Sequence, residues 1–207
     1  MRSLLITLLF LAWGLNAQVQ IEDNRISFSQ IHEVEGSKTD LHKWASEWVA
    51  KTYNNSNYVT RINDEEQIIT KGAFEVVAIQ TILKKEYPQT RRINYTLNVQ
   101  FKVGRYKLDI NDLNIEPLTE AYPDELETYF MDKEQYREYL RKFYENMGGS
   151  YLKRGLKILE NDNKFNEFYE NNKKYGAGLH LGILANLEGI NQSLLAYMKQ
   201  DHGDDDW

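Results

Sequence analysis

The rhythm of apolar and polar residues changes along this chain, and each change predicts an element. "RISFSQIHEVEG" places Ile26 and Phe28 two apart, then Ile31 and Val34 less regularly, which predicts a strand ending at Gly36. The period then lengthens. Leu41, Trp44, Ala45, Trp48, Val49 and Thr52 fall on one stripe of a helix over 37–53, with Ser37 or Thr39 available as its N-cap. "NYVTRI" predicts a strand, "NDEE" a turn, and "QIITKGAFEVVAIQTIL" a second strand whose Gly72 marks a bulge or bend. "KKEYPQTRR" reads as a solvated hairpin loop carrying Lys84, Lys85, Arg91 and Arg92, four cations that could also meet anionic lipid or polysaccharide.

The longest alternation follows it, "INYTLNVQFKVGRYKLDI" over residues 93–110. A two-residue turn at Gly104-Arg105 pairs Val103 with Tyr106, Phe101 with Leu108 and Val99 with Ile110, all apolar and on one face. Continued, that register sets Leu97 against Asp112, so a bulge or strand end is expected near Asn111-Asp112. Tyr95, Leu97, Val99, Phe101, Leu108 and Ile110 then belong to the layer under the helix. Asn94, Thr96, Asn98, Gln100, Lys102, Lys107 and Asp109 form the opposite, polar face, where Asn98, Gln100, Lys102 and Lys107 are the candidate binding residues.

Beyond Pro117 and Pro123 the pattern is helical. Tyr136, Tyr139, Leu140, Phe143 and Met147 make a stripe that stops at Gly148-Gly149, a helix C-terminal signal. Shorter helical pieces are expected around Leu156, Leu159, Phe165 and Phe168, and a last helix around Leu184, Leu187, Ile190, Leu194, Leu195 and Met198. The fold class is therefore α+β. An antiparallel sheet of four to five strands has one helix packed on a face, in the order β-α-β-β-β-β, and a helical C-terminal region follows. The expected divisions are a signal peptide at 1–17, the α+β domain at 18–116, the helical region at 117–200 and an acidic tail at 201–207. The helices are expected to pack against the sheet.

The first residues bear on compartment. Met1-Arg2, the apolar run "LLITLLFLAWGL" and the small Ala17 read as a secretory signal cleaved before Gln18. The run is shorter than the roughly 20 apolar residues a membrane span needs, and no later stretch approaches that length. The expected location is periplasmic or extracellular, with no transmembrane segment in the mature chain. With no cysteine, the protein has no disulfide framework, which fits bacterial export better than a eukaryotic secreted module. The net charge of −6 arises from an acidic excess beyond residue 119. Such a balance opposes a phosphate-backbone binder, so nucleic acid is not an expected partner.

"WVAKTY" (Trp48 to Tyr53), "IITKGAF" (Ile68 to Phe74) and "VGRYKLDINDL" (Val103 to Leu113), in this order of elements, resemble a bacterial secreted domain-of-unknown-function family with a TATA-binding-protein-like (TBP-like) fold. The resemblance covers roughly residues 26–116. It implies a sheet with a helix packed on it in an exported protein, and brings no established activity or catalytic residues. The basic stretch 84–92 is longer than the family leads one to expect, and the helical region lies outside it.

Catalytic signals are sparse. His32, His42, His180 and His202 make no metal-ligand spacing, and neither GxSxG nor a Gly-rich phosphate loop is present. "DHGDDDW" offers oxygen and imidazole donors without the pattern of a calcium loop, and reads as a solvated tail. No cofactor is expected. The chain has 14 Tyr, 8 Phe and 4 Trp, enough for an aromatic surface that stacks on sugars or a protein, although Trp44, Trp48, Tyr136 and Tyr139 sit at helical core spacing. These features favour a non-enzymatic binding or interaction domain of the cell envelope, with a protein or envelope component as partner. The alternative is an envelope hydrolase or transferase with its site between the sheet and the C-terminal helices.

Overall fold

The computed structural model describes residues 18–53, 59–82, 84–117 and 124–203, so the expected signal segment and the last four residues of the tail lie outside the described residues. The strands are β1 (Gln18–Glu22), β2 (Arg25–Glu33), β3 (Thr60–Asn63), β4 (Gln67–Ile82), β5 (Lys85–Lys102) and β6 (Arg105–Ile115). They form a six-stranded antiparallel sheet in the order β1-β2-β6-β5-β4-β3. The helices are α1 (Lys38–Thr52), α2 (Lys133–Met147), α3 (Gly149–Leu159) and α4 (Asp162–Met198), with a short 3-10 turn at Leu126–Tyr129 before α2. The α+β class, the helix on one sheet face and the helical C-terminal region are as expected, with more strands than expected.

The additional strand is β1. It joins β2 through Asp23-Asn24, with Glu22 paired to Arg25 and both turn residues at positive φ (49° and 63°). Asp and Asn tolerate that left-handed conformation, which a tight hairpin turn of this hand requires. In β2 the inward residues are Ile26, Phe28, Gln30, His32 and Val34, while Ile31 faces out and is 38% exposed. Two polar residues in the inward series disguised the alternation.

Helix α1 begins where expected. Ser37 Oγ accepts from the Asp40 amide at 3.1 Å, and Asp40 accepts from the Ser37 amide at 3.0 Å, a reciprocal cap. Leu41, Ala45, Trp48 and Val49 are buried against the sheet. The helix carries the chain from β2 across to the far edge, where β3 to β6 then run back as a meander.

Three expectations along this meander change. The β5–β6 turn is Val103-Gly104, one residue earlier than expected, so Phe101 pairs with Tyr106, Val99 with Leu108 and Leu97 with Ile110. The shift preserves parity, so the face assignments survive except at Val103, which leaves the apolar face for the turn and is 78% exposed; Gly104 at φ 74° takes the left-handed position, and its amide bonds Gly36 O at 3.1 Å. The bulge does fall at Asp112, where Tyr95 alone faces Asp112 and Leu113 and Asp112 has φ 52°. Its cause is not a Leu97–Asp112 mismatch. Gly72 is no bulge, since β4 and β5 pair without a break. The Tyr95 ring lies on Gly72, where any Cβ would overlap it, and its hydroxyl bonds that of Tyr53 at 2.8 Å.

Finally, residues 84–92 are not a loop. Ile82 pairs with Lys85, and β4 and β5 run on as a two-stranded arm past the end of β6. Pro88 is tolerated because β6 ends opposite Ile93, leaving its side of β5 without a strand. Arg91 is turned into the core, and Arg92 pairs with Glu116 at 3.3 Å, so the four cations do not form a patch.

The expected late helix is the end of one continuous helix of 37 residues. Its buried series is Phe165, Tyr169, Tyr175, Leu179, Ile183, Leu187, Asn191, Leu194 and Met198. Gly176 and Gly182 lie along the same contact, and each stands where a side chain would collide. A Cβ on Gly176 would be 2.7 Å from Tyr129 O, and one on Gly182 would overlap Val76. Both α1 and α4 pack on the inward sheet face in one core, while α2, α3 and the start of α4 hold a second, around Tyr136, Leu140, Leu159, Phe165 and Tyr169. Trp48 Nε1 donates to Ser193 Oγ at 3.0 Å, and Lys51 Nζ to Tyr197 Oη at 2.7 Å, joining α1 to α4.

Arg91 ties the end of β6 to the start of the helical region. Its guanidinium, 3% exposed, donates to Asp124 and to Glu116 O (3.0 Å), and Tyr129 Oη donates to the other Asp124 oxygen at 2.8 Å. Burial works against the charge on Arg91, and the hydrogen bonds and charges of Asp124 and Tyr175 together more than offset it, so its pKa lies above the ordinary arginine value.

Candidate functional site

Because α1 and α4 cover the same side, no described helix covers the outward face of the sheet. Antiparallel pairing arranges that face in cross-strand rows. Gln67, Gln100, Lys107 and Ile31 form one row, Ile69, Asn98, Asp109 and Ser29 the next, and Lys71, Thr96 and Asn111 a third. The four candidate residues are thus brought together: Gln100 opposes Lys107, Asn98 opposes Asp109, and Lys102 opposes Arg105 at the turn.

The polar groups are partly engaged with one another. Asp109 accepts from Ser29 Oγ at 2.7 Å and from Lys107 Nζ at 2.8 Å. Asn94 Nδ2 donates to Asn114 Oδ1 at 3.1 Å. A depression of about 500 Å³ opens at the turn end, lined by Ile31, Glu66, Gln67, Gln100, Lys102, Arg105 and Lys107 among others. Its charge is predominantly basic, since Glu66 also pairs with Lys38 of α1. A second depression of about 760 Å³ lies further along β4 and β5, with Arg61, Lys71, Arg92, Asn94, Thr96 and Asp112 in its lining.

Gln67, Ile69, Lys71 and Arg105 were missed as members of this face. The inward series Ile68, Thr70, Gly72, Phe74, Val76 and Ala78 of β4 is the signal that would have found the first three. Lys102 and Arg105 meet only because the turn falls one residue earlier than expected.

The aromatic residues of the helical region gather in a groove of about 610 Å³. Tyr139 lies near-parallel to Tyr136 and Phe143, each at 6.5 Å, and Phe168 to Tyr136 at 6.2 Å. Burial, then the charges of Glu125 and Asp124, pushes the Tyr139 hydroxyl up to about 12, so it stays a protonated donor. Neither this groove nor the two depressions brings two carboxylates or a serine–base pair together.

The histidines are placed apart. His32 is buried, its Nε2 donating to Asn191 Oδ1 at 2.7 Å while Asn191 Nδ2 donates to Gln30 Oε1 at 2.9 Å. Burial holds its pKa below the ordinary 6.5, opposed by the bond to Asn191. His42 meets Asn63 Oδ1 at 2.6 Å. His202, expected in a solvated tail, stacks on Trp44 at 4.3 Å. Among the described residues no group of three or more His, Asp or Glu is placed to hold a metal, and no helix is long and apolar enough to cross a membrane.

Residues 28–116, from β2 to just past β6, match the family described as a domain of unknown function (DUF4468) with TBP-like fold. The matched stretch contains α1, β3 to β6 and most of β2, and so the whole of the outward face; β1 and the helical region lie outside the match. Two solved structures are similar to the chain. A DUF4468 family protein from Bacteroides ovatus ATCC 8483 has 21% identity and a TM-score of 0.43, over 56% of this chain and 68% of that one. A TBP-like protein from Parabacteroides distasonis ATCC 8503 has 11% identity and a TM-score of 0.48, over 86% and 97%. No curated protein matches the chain.

Proposed function

We propose that this protein is exported, with its signal cleaved after Ala17, and that its DUF4468-like domain is a non-enzymatic binding module of the bacterial cell envelope. The partner, a protein or envelope component, docks on the outward sheet face. The observation that carries this reading is a sheet packed, among the described residues, on one side only. Its other side presents amides and cations in register: Asn98, Gln100, Lys102, Arg105 and Lys107. Rows of donors and acceptors fixed to strands need little reordering on binding, and the basic turn end suits an acidic group on the partner.

Two measurements test it. Mass spectrometry of the protein recovered from its native envelope fraction is expected to find an N-terminus at Gln18. A photo-crosslinker at position 98 or 100 is expected to yield one reproducible adduct there, lost on joint replacement Lys102→Glu and Arg105→Glu. Adducts that survive this charge reversal, or that form equally from the α3 surface, defeat the assignment to this face.

A further inference from the structure

A different surface, independent of the outward face, carries a second binding assignment. Strand β4 runs from Gln67 to Ile82, and β5 pairs with all of it. On its other side β3 pairs only with Ile68, Ile69 and Thr70. From Lys71 to Ile82 the outer edge of β4 therefore has no strand beside it among the described residues. In an antiparallel ribbon alternate residues aim both N–H and C=O away from the partner, so this edge is a row of donors and acceptors.

Exposed edges are ordinarily blunted by proline, lysine or a bulge. The opposite edge of this arm has Pro88. The β4 edge, "GAFEVVAIQTI", has none of these from Gly72 on; its one charge is Glu75, and beyond it Val77 (61% exposed), Ile79 (42%) and Ile82 (45%) are the exposed apolar residues.

The roof over the edge decides what can bind. Gly178 and Gly182 of α4 sit on Ala78 and Val76, so the helix lies directly above β4. On one flank of that contact Leu179 and Ile183 are buried in the core; on the other flank Leu181 is 68% exposed. Two copies joined edge to edge through β4 would be related by a two-fold axis standing perpendicular to the sheet, which puts both α4 helices on the same side. Neighbouring strands are about 4.8 Å apart, whereas helices need roughly 8–10 Å between axes. The two α4 helices would collide, so a second copy does not fit this edge. A lone strand with no helix above it does.

We propose that the outer edge of β4, residues 72–82, takes up an extended segment of another polypeptide as an added strand. Main-chain hydrogen bonds to β4 hold it, and its side chains point alternately to Leu181 on one face and to Val77 and Ile79 on the other.

The test is hydrogen exchange of the full chain with a nine-residue peptide of alternating valine and threonine, capped by lysines and N-methylated at its valines so that one edge alone can pair. The expected result is at least tenfold slower exchange within 72–82, no effect from the same peptide N-methylated at every residue, and at least tenfold weaker binding by Leu181→Asp. Three results would overturn the assignment. One is no slowing within 72–82 at millimolar peptide, or slowing confined to another edge. The second is a concentration-dependent dimer that protects the edge by itself. The third is protection already present in the chain from Met1 and lost in the chain from Gln18, which makes the N-terminal segment the occupant. Lys102→Glu with Arg105→Glu is expected to leave peptide binding unchanged, so this assignment and the outward-face reading fail separately.

Discussion

Replacing Gly182 and Gly189 by alanine, one at a time, makes the same chemical change in one helix and is expected to stabilise the protein at Gly189 only. Both lie inside α4, where glycine costs about 1 kcal/mol relative to alanine. At Gly189 nothing lies within 4 Å of the added Cβ, so the whole gain of about 1 kcal/mol is expected. At Gly182 the methyl overlaps Val76 Cγ1 and stands 3.3 Å from Val76 Cβ and Cγ2. Val76 is 2% exposed on a strand paired to β5, so it cannot swing away cheaply. Overpacking of this kind costs about 1–3 kcal/mol, which cancels or exceeds the helix gain. Gly182→Ala should thus lie about 1–3 kcal/mol below Gly189→Ala. Urea unfolding followed by far-ultraviolet circular dichroism measures both, with an unchanged m-value as the control. Adding Val76→Ala removes the overlapping atom, so the Val76→Ala, Gly182→Ala cycle should show a favourable coupling of roughly 0.5–3 kcal/mol. If Gly182→Ala proves as stabilising as Gly189→Ala and uncoupled from Val76, α4 is not seated on β4, and the steric exclusion of a second copy goes with it.

Asp124→Asn leaves the Arg91 charge buried without its counterion and is expected to cost about 3–5 kcal/mol, much of it recovered in Arg91→Met with Asp124→Leu, by the same unfolding assay. The folded-state pKa of His32 lies below its ordinary 6.5, so the unfolded chain takes up this proton first as pH falls. The corresponding stability is present above about pH 6.5 and is lost as pH falls toward the folded value. Urea midpoints between pH 5 and 7.5 should therefore fall less steeply with acid in His32→Gln than in the parent, and equal slopes would contradict the burial of a neutral imidazole. Gly72→Ala pushes a methyl into the Tyr95 ring, which the Tyr53 hydroxyl holds, and is expected to destabilise by about 1–3 kcal/mol, measured in the same way.

Some of this architecture was legible because its signals are local. Ser37 and Asp40 form a cap within four residues, and the stripe from Leu41 to Val49 needs only the helical period. The alternation from Tyr95 to Ile110 assigned the side chains outside the turn to their faces even with the turn one residue late, because the slide in register was even; Val103 alone was lost to the turn. Other elements hid behind residues whose role depends on distant partners. Gln30 and His32 broke the pattern of β2 because they point inward to meet Asn191, 161 and 159 positions away. The single helix α4 looked like separate pieces because glycines and Asn191 occupy positions in its contact face where apolar residues are expected. The candidate face was half legible: β5 and β6 supplied Asn98, Gln100, Lys102 and Lys107, and β4 was not placed beside them.

By itself the sequence determined the period and cap of α1 and the inward or outward sense of the paired parts of β5 and β6, since these depend on a residue and its near neighbours. Tertiary structure alone decided that α1 and α4 lie on the same side of the sheet. The reason is close packing: Gly176 and Gly182 on one element and Tyr129 and Val76 on others fit only together, and no local pattern records that fit. The same choice leaves the outward face bare and the edge of β4 roofed but unpaired.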